Sequence, residues 1–245
     1  MKILLTDIET SPNQVFVWGL WNQNVSTNQI IDSSKTLCYA AKWLGAKEIY
    51  FDSLHQSSNK KMLKGIHKLM DEADAIVTYN GIRFDIPTLS KEYLLEGMRP
   101  PSPAKQIDLL RVCRSRFRFP SNRLDYVANA LGLGKKHKTD FTLWVDCMNN
   151  DPVAWGKMER YNKQDVKLLE KVYNRVLPWI KGHPNASIFE DYCVCPNCGG
   201  SKYQRRGWAI TQTAKYIRLQ CKLCGSWFRG GRSVAKGPGE KFIPI

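Results

Sequence analysis

Hydrophobic and polar positions along the first 180 residues switch between two periods. Residues 3–8 form an apolar run that closes on acids, and residues 15–21, 37–43 and 48–51 are rich in β-branched and aromatic side chains, so four strands are predicted. Met62, Leu63, Ile66, Leu69 and Met70 then fall at helical spacing. Residues 75–79 read as a buried strand and 86–96 as a helix stopped at Gly97. Residues 107–112 read either as a strand end or as a helix start. Ser121 is placed to cap a helix through Leu131, closed by Gly132, and a long helix is predicted over 152–180. The order β-β-β-β-α-β-α-α-α predicts an α/β domain whose sheet opens with an antiparallel portion.

The pattern breaks at Gly182-His183-Pro184-Asn185, and five of the eight cysteines follow it: Cys193, Cys195, Cys198, Cys221 and Cys224. Two domains are therefore expected, residues 1–189 and residues 190–245, the second ending in a flexible basic tail. The chain has 37 Lys and Arg against 22 Asp and Glu, a net +15, and residues 190–245 carry 10 basic and 3 acidic side chains. Such an excess suits a polyanionic partner, nucleic acid above all. At 43% hydrophobic and 24% charged the composition is that of a folded protein. No apolar run reaches the roughly 18 residues of a membrane span, and the apolar start is too short for a signal-peptide core. A cytoplasmic location is expected, with thiols reduced or metal-bound.

Three stretches hold acids where apolar residues would be expected. Along the first strand Ile3, Leu5, Asp7 and Glu9 share one face, so two acids extend an apolar stripe. Either the strand end emerges into water, or the pair needs a cation, because two charges at ~4 Å repel by about 4 kcal/mol at an effective dielectric near 20. Asn80-Gly81-Ile82-Arg83-Phe84-Asp85 joins a strand to a helix. Here Asp85 reads as a helix N-cap, and Gly81 as a turn where backbone can approach a ligand. On the long helix Tyr161, Asp165, Leu169, Val172 and Val176 lie on one stripe, so Asp165 and Tyr161 point toward the core side.

Taken together, Asp7-Ile8-Glu9, Asn80-Gly81-x-x-Phe84-Asp85 and Tyr161-x-x-x-Asp165 resemble the three motifs of the DEDD exonuclease superfamily. The tyrosine resembles that of its DEDDy branch, which includes polymerase proofreading domains. Asp7-Ile8-Glu9-Thr10-Ser11-Pro12 and Ile107-Asp108-Leu109-Leu110 are similar to stand-alone members related to family-B proofreading domains. The resemblance covers residues 1 to about 180. It implies a ribonuclease H-like fold, a five-stranded mixed sheet with helices on both faces. It further implies that Asp7, Glu9, Asp85 and Asp165 hold two Mg²⁺ or Mn²⁺ ions, hard cations suited to oxygen ligands. In that scheme Asp7 bridges both ions, Glu9 and Asp165 hold the one that binds the attacking water, Asp85 reaches the other through water, and Tyr161 orients the water. Asp108 reads as a helix cap, and His137 as part of a basic loop.

Arg111, Arg114, Arg116, Arg118 and Arg123 interleave with Phe117 and Phe119, and Lys135, Lys136 and Lys138 follow. This pattern suits either a single strand of nucleic acid or a solvated basic face over core aromatics. Asn80 and Phe84 are further candidates at the terminal nucleotide. Cys195-x-x-Cys198 and Cys221-x-x-Cys224, 22 residues apart, read as one structural Zn²⁺ site in a zinc ribbon, with Cys193 as a spare thiol. Arg205, Arg206 and Trp208 between the pairs make the ribbon a candidate nucleic-acid grip, with protein docking as the alternative. The expected activity is 3′→5′ exonucleolytic release of nucleoside 5′-monophosphates from single-stranded or frayed ends, DNA before RNA. The rivals are a ribonuclease or structure-specific nuclease on the same fold, and a non-catalytic nucleic-acid-binding protein. No polymerase-sized region follows, so a proofreading role would require a separate replication or repair protein.

Overall fold

The computed structural model describes residues 1–135 and 139–234. The run of alternating side chains from the second residue onward forms β1 (Ile3–Thr10). It pairs antiparallel with β4 (Thr36–Trp43), Asp7 opposite Ala40 and Glu9 opposite Cys38. On its other edge it pairs parallel with β6 (Ala75–Thr78), but only from Ile3 to Leu5. β5 (Tyr50–Ser53) and β7 (Lys105–Asp108) complete a mixed five-stranded sheet in the order β5-β4-β1-β6-β7.

Alternation along the strands sends apolar side chains to both faces, and both are covered. Leu4, Ile8, Tyr39, Ala41 and Ile76 pack against Met62, Leu63, Ile66, Leu69 and Met70 of α1 (Asn59–Asp71) and against Leu89 and Tyr93 of α2 (Asp85–Leu95). On the opposite face Leu37 and Cys38 meet Leu143 and Cys147 of α5 (Thr142–Met148) and Ala154, Trp155, Met158 and Tyr161 of α6 (Pro152–Val176). Each fully buried Leu or Met contributes about 1.5–3 kcal/mol. The second face also buries one ion pair, Lys42 with Glu170, whose other oxygen accepts the Gly45 N–H at 2.8 Å. Removing either charge would strand the other, so the pair fixes α6 on β4. The start of α6 is set by Asp151, which accepts the Val153 N–H at 2.8 Å ahead of Pro152.

Several expected elements differ. The strand over 15–21 is only β2 (Gln14–Val15), paired with β3 (Ile30–Asp32), which was not expected. The two readings of 107–112 are both realised: β7 ends at Asp108, and α3 (Leu109–Arg116) starts at the next residue. Asp108 caps α3 as expected, accepting from the Leu110 N–H at 3.0 Å and the Arg111 N–H at 3.4 Å. Ser121 is not the cap of α4 (Leu124–Ala130); Arg123 occupies that position, and the Ser121 hydroxyl accepts its N–H at 3.4 Å. α5 was not anticipated, and α6 stops at Val176 before a single 3-10 turn.

The chain separates into two compact units, Lys2–Tyr173 and, with Met1, Asn174 onward. The second contains a three-stranded antiparallel sheet ordered β10-β9-β8, made of β8 (Tyr203–Ile210), β9 (Lys215–Cys221) and β10 (Trp227–Ser233). Gly230 and Gly231, expected in a flexible tail, lie in β10; residues 235–245 of that tail are outside the described residues. No helix among the described residues is long and apolar enough to cross a membrane.

Candidate active site

β1 and α6 bring three of the four expected acids together. One carboxylate oxygen each from Asp7, Glu9 and Asp165 lie within 4.8 Å of one another. Asp165 is 2% exposed and Tyr161, one turn earlier on α6, is 8% exposed. Three like charges this close repel by several kcal/mol even at an effective dielectric near 20. An all-oxygen donor set of this kind fits Mg²⁺ or Mn²⁺ and disfavours a thiophilic ion.

Two further residues orient this cluster and were missed in the sequence. Asn162, fully buried, donates from Nδ2 to Asp7 Oδ2 at 2.8 Å and to the Asp7 carbonyl at 3.3 Å. Its Oδ1 accepts from the Cys38 thiol, sulfur to oxygen 3.9 Å. Trp144 on α5 donates from Nε1 to Glu9 Oε2 at 3.2 Å and meets the Tyr161 ring edge-on, centroids 5.9 Å apart. Met158, Asn162, Asp165 and Leu169 are spaced four, three and four apart, a readable stripe in which a buried amide beside an acid was the available signal.

Asp85 behaves differently from the other acids. It is the first residue of α2, with Phe84 at the cap position, so it is not the N-cap. Pairing of β1 with β6 stops at Leu5, and the Ile8 N–H beyond it donates to Asp85 Oδ1 at 3.1 Å. Burial pushes the Asp85 carboxyl up to about 7; the Ile8 bond opposes the rise and the Asp108 charge adds to it. Asp85 is thus packed against β1 but lies outside the group of three converging carboxylates. Gly81 also has a different basis from the one expected: a Cβ there would lie 2.3 Å from Thr78 Oγ1, so packing on the end of β6 excludes a side chain.

A cleft of about 500 Å³ opens beside Asp7, lined also by Asn80, Arg114, Ser121, Asn122 and Arg123. Asn80 sits at φ 73°, and its N–H donates to Asp108 Oδ1 at 2.9 Å, so the helix cap also holds this turn. The Tyr79 hydroxyl donates to the Asn122 carbonyl at 2.7 Å. Of the expected arginines, Arg114 and Arg123 line this cleft, whereas Arg111, Arg116 and Arg118 do not. Phe117 and Phe119 lean on each other, centroids 5.6 Å apart, and Phe84 is 44% exposed. Lys135 is exposed; Lys136, His137 and Lys138 lie outside the described residues.

In the second unit Cys195, Cys198, Cys221 and Cys224 form one group within 4.8 Å, and exposed Cys193 lies outside it. Gly199 and Gly225, at φ 70° and 81°, close the two turns and return their N–H groups to the carbonyls of Cys195 and Cys221 at 2.9 and 3.1 Å. Burial works to raise the Cys221 thiol, but the N–H groups of Cys224 and Leu223 bring it down to about 7. Burial raises the Cys195 and Cys198 thiols, so a metal bound by all four would displace their protons. On the adjoining sheet Trp208 is flanked by Arg205 at 4.3 Å and Lys215 at 4.2 Å, and Arg229 lies 3.8 Å from the Tyr216 ring. Arg206 is exposed, and its carbonyl accepts the Arg218 Nε–H at 2.8 Å.

Among solved structures, the family B DNA polymerase from the hyperthermophilic archaeon Pyrobaculum calidifontis is similar to this chain, with a TM-score of 0.56 and 18% identity. The alignment covers 72% of this chain and 24% of the polymerase, so the chain spans about a quarter of that protein's length, and at this identity the likeness is one of fold. No curated protein matches the chain. The family model RNase_H_2, described as RNase_H superfamily, matches residues 4–177. That match takes in both β1 and α6, which carry the converging carboxylates, and the chain belongs to the RNase_H superfamily.

Proposed function

We propose that the chain is a metal-dependent 3′→5′ exonuclease of the DEDDy type, releasing nucleoside 5′-monophosphates from single-stranded or frayed 3′ ends, DNA in preference to RNA. The observation that carries this reading is the convergence of Asp7, Glu9 and Asp165 within 4.8 Å, with Tyr161 one helical turn away. The three carboxylates would hold Mg²⁺ or Mn²⁺, two ions in all, with Asp85 contributing through water. When bound, such ions lower the pKa of a water and neutralise charge on phosphoryl oxygens. Asn162 and Trp144 keep the Asp7 and Glu9 oxygens turned toward the cluster. A phenol is a poor base at neutral pH, so Tyr161 would orient the attacking water through a hydrogen bond.

The cleft beside Asp7 supports a seat for the terminal nucleotide. Arg114 and Arg123 would neutralise its phosphates and Asn80 would donate to the sugar or phosphate, with exposed Phe84 against the base. The other basic candidates, Arg111, Arg116, Arg118, Lys135, Lys136 and Lys138, would track the strand. In the ribbon, Zn²⁺ on the four cysteines would supply the stability that so small a core lacks, and Arg205, Arg206 and Trp208 would add affinity for nucleic acid.

Digestion of end-labelled linear and closed circular DNA and RNA under Mg²⁺, Mn²⁺ or EDTA tests the reading. Linear DNA is expected to lose mononucleotides from the 3′ end only, and Asp7→Ala and Asp165→Asn to lose at least about a thousandfold in rate. Cleavage of closed circles, or near-normal activity in either variant, contradicts it.

A further inference from the structure

Between β2 and β3 the chain makes a hairpin whose tip is apolar and uncovered. Phe16 is 74% exposed, Leu20 87%, Trp21 83% and Trp18 fully exposed. Single exposed apolar residues are ordinary; four within six positions form a patch. The hairpin is held at its base: the Ser11 N–H donates to the Lys35 carbonyl at 2.9 Å, and the Lys35 N–H donates to Ser11 Oγ at 3.1 Å. The Phe16 N–H donates to the Gln29 carbonyl at 3.0 Å, and Gln29 Nε2 donates to the Phe16 carbonyl at 2.9 Å. Gln23 Nε2 donates to the Trp21 carbonyl at 2.8 Å. Gln23 and Gln29 thus hold the backbone, and the rings are left to solvent.

The hairpin continues directly from β1, which ends at Thr10, just beyond Glu9. Trp18 is nine residues past Glu9, so even fully extended chain separates their Cα atoms by no more than about 30 Å. That bound corresponds to at most roughly nine nucleotides at 3.4 Å each. From Asn13 to Ile31 there is no ionisable side chain, although the chain as a whole carries a net +15. A polyanion therefore meets no repulsion at the tip, which offers π faces and no competing cation.

Building on the exonuclease reading, we infer that Phe16, Trp18 and Trp21 form a stacking platform for unpaired bases several nucleotides upstream of the 3′ end being cut. Stacking on such rings is tolerant of sequence and worth about 1–3 kcal/mol per base. It retains the strand between cleavage events without adding a phosphate contact.

The test compares the full-length protein with a variant carrying Phe16→Ser, Trp18→Ser and Trp21→Ser, all at exposed positions. Affinity for a single-stranded oligonucleotide of about twelve residues is measured in EDTA over a salt series, and turnover of a dinucleotide is measured with Mg²⁺. The variant is expected to bind the longer strand about fivefold or more weakly, with an unchanged slope of affinity against salt. Its dinucleotide turnover should match the parent's. Unchanged affinity for the longer strand overturns the inference and leaves a protein as the partner of this patch. A reduced salt slope also overturns it, because the rings would then act through phosphate contacts, and so does an equal loss on the dinucleotide. Binding in EDTA requires no cleavage, so a parent protein that binds but does not cut would refute the exonuclease reading while the affinity comparison still decides the platform.

Discussion

At the scale of residues, the acids of this chain differ in what balances them. Asp7 and Glu9 have donors from Asn162 and Trp144, while Asp85 has backbone N–H groups, that of Ile8 among them, and deep burial. The folded chain holds the Asp85 proton up to about pH 7, whereas an ordinary aspartate releases it near 3.8. Between those values the folded state carries more protons than the unfolded one, so this group's stability is fully present below about pH 4 and is lost as pH rises toward 7. Asp85→Asn keeps an oxygen for the Ile8 N–H and removes the titration. In EDTA the variant is expected to be more stable than the parent at neutral pH, with a flatter profile between pH 4 and 7. Urea unfolding at stepped pH checks this, and an unchanged slope refutes it. Asp7, Glu9, Asp165 and Tyr161 were legible because charged or polar groups stood on apolar stripes. Trp144 was not, because nothing local links an indole at 144 to a carboxylate at 9. Asn162 carries no charge to mark it, although an amide on a buried stripe carries a similar message.

At the scale of elements, the candidate site depends on β1 outrunning its parallel partner. Because pairing with β6 ends at Leu5, the start of α2 can fold in against Ile8 and bring Asp85 and the Asn80 turn beside Asp7. Gly81 makes that approach possible. Gly81→Ala is expected to cost about 1–3 kcal/mol, since its new methyl would overlap the Thr78 side chain. The variant should also lower activity by displacing Asn80. Chemical denaturation and turnover measured together check this, and parent-like values in both would exclude the packing argument. Strands that are central in the sheet were easy to read, because burial on two faces imposes continuous apolar runs. Residues 15–21 have the same composition for a different reason, and composition alone does not say whether a ring meets a core or water. α5 is not legible in the sequence because its buried positions, Leu143 and Cys147, are only two and establish no period. Asp108 explains why 107–112 had two readings: it ends β7 and caps α3.

At the scale of the whole molecule, the two units draw on different sources of stability. The first has apolar clusters on both faces of its sheet. The second has few buried apolar side chains and the four-cysteine group. Cys198→Ser is expected to release bound zinc and melt β8, β9 and β10, with affinity for long strands falling more than turnover of a dinucleotide. Metal analysis and calorimetry on the full chain test this; retained zinc would remove Cys198 from the ligand set.

Cys38, opposite Glu9 in the sheet, has a wider consequence. Burial, and then the charges of Glu9 and Asp7, raise its thiol well above the ordinary range. Sulfur at that position stays protonated and offers little to a soft cation. A thiol that keeps its proton beside the carboxylates leaves the oxygens of β1 and α6 as the ligands at that cluster, so a soft cation gains nothing there over a hard one.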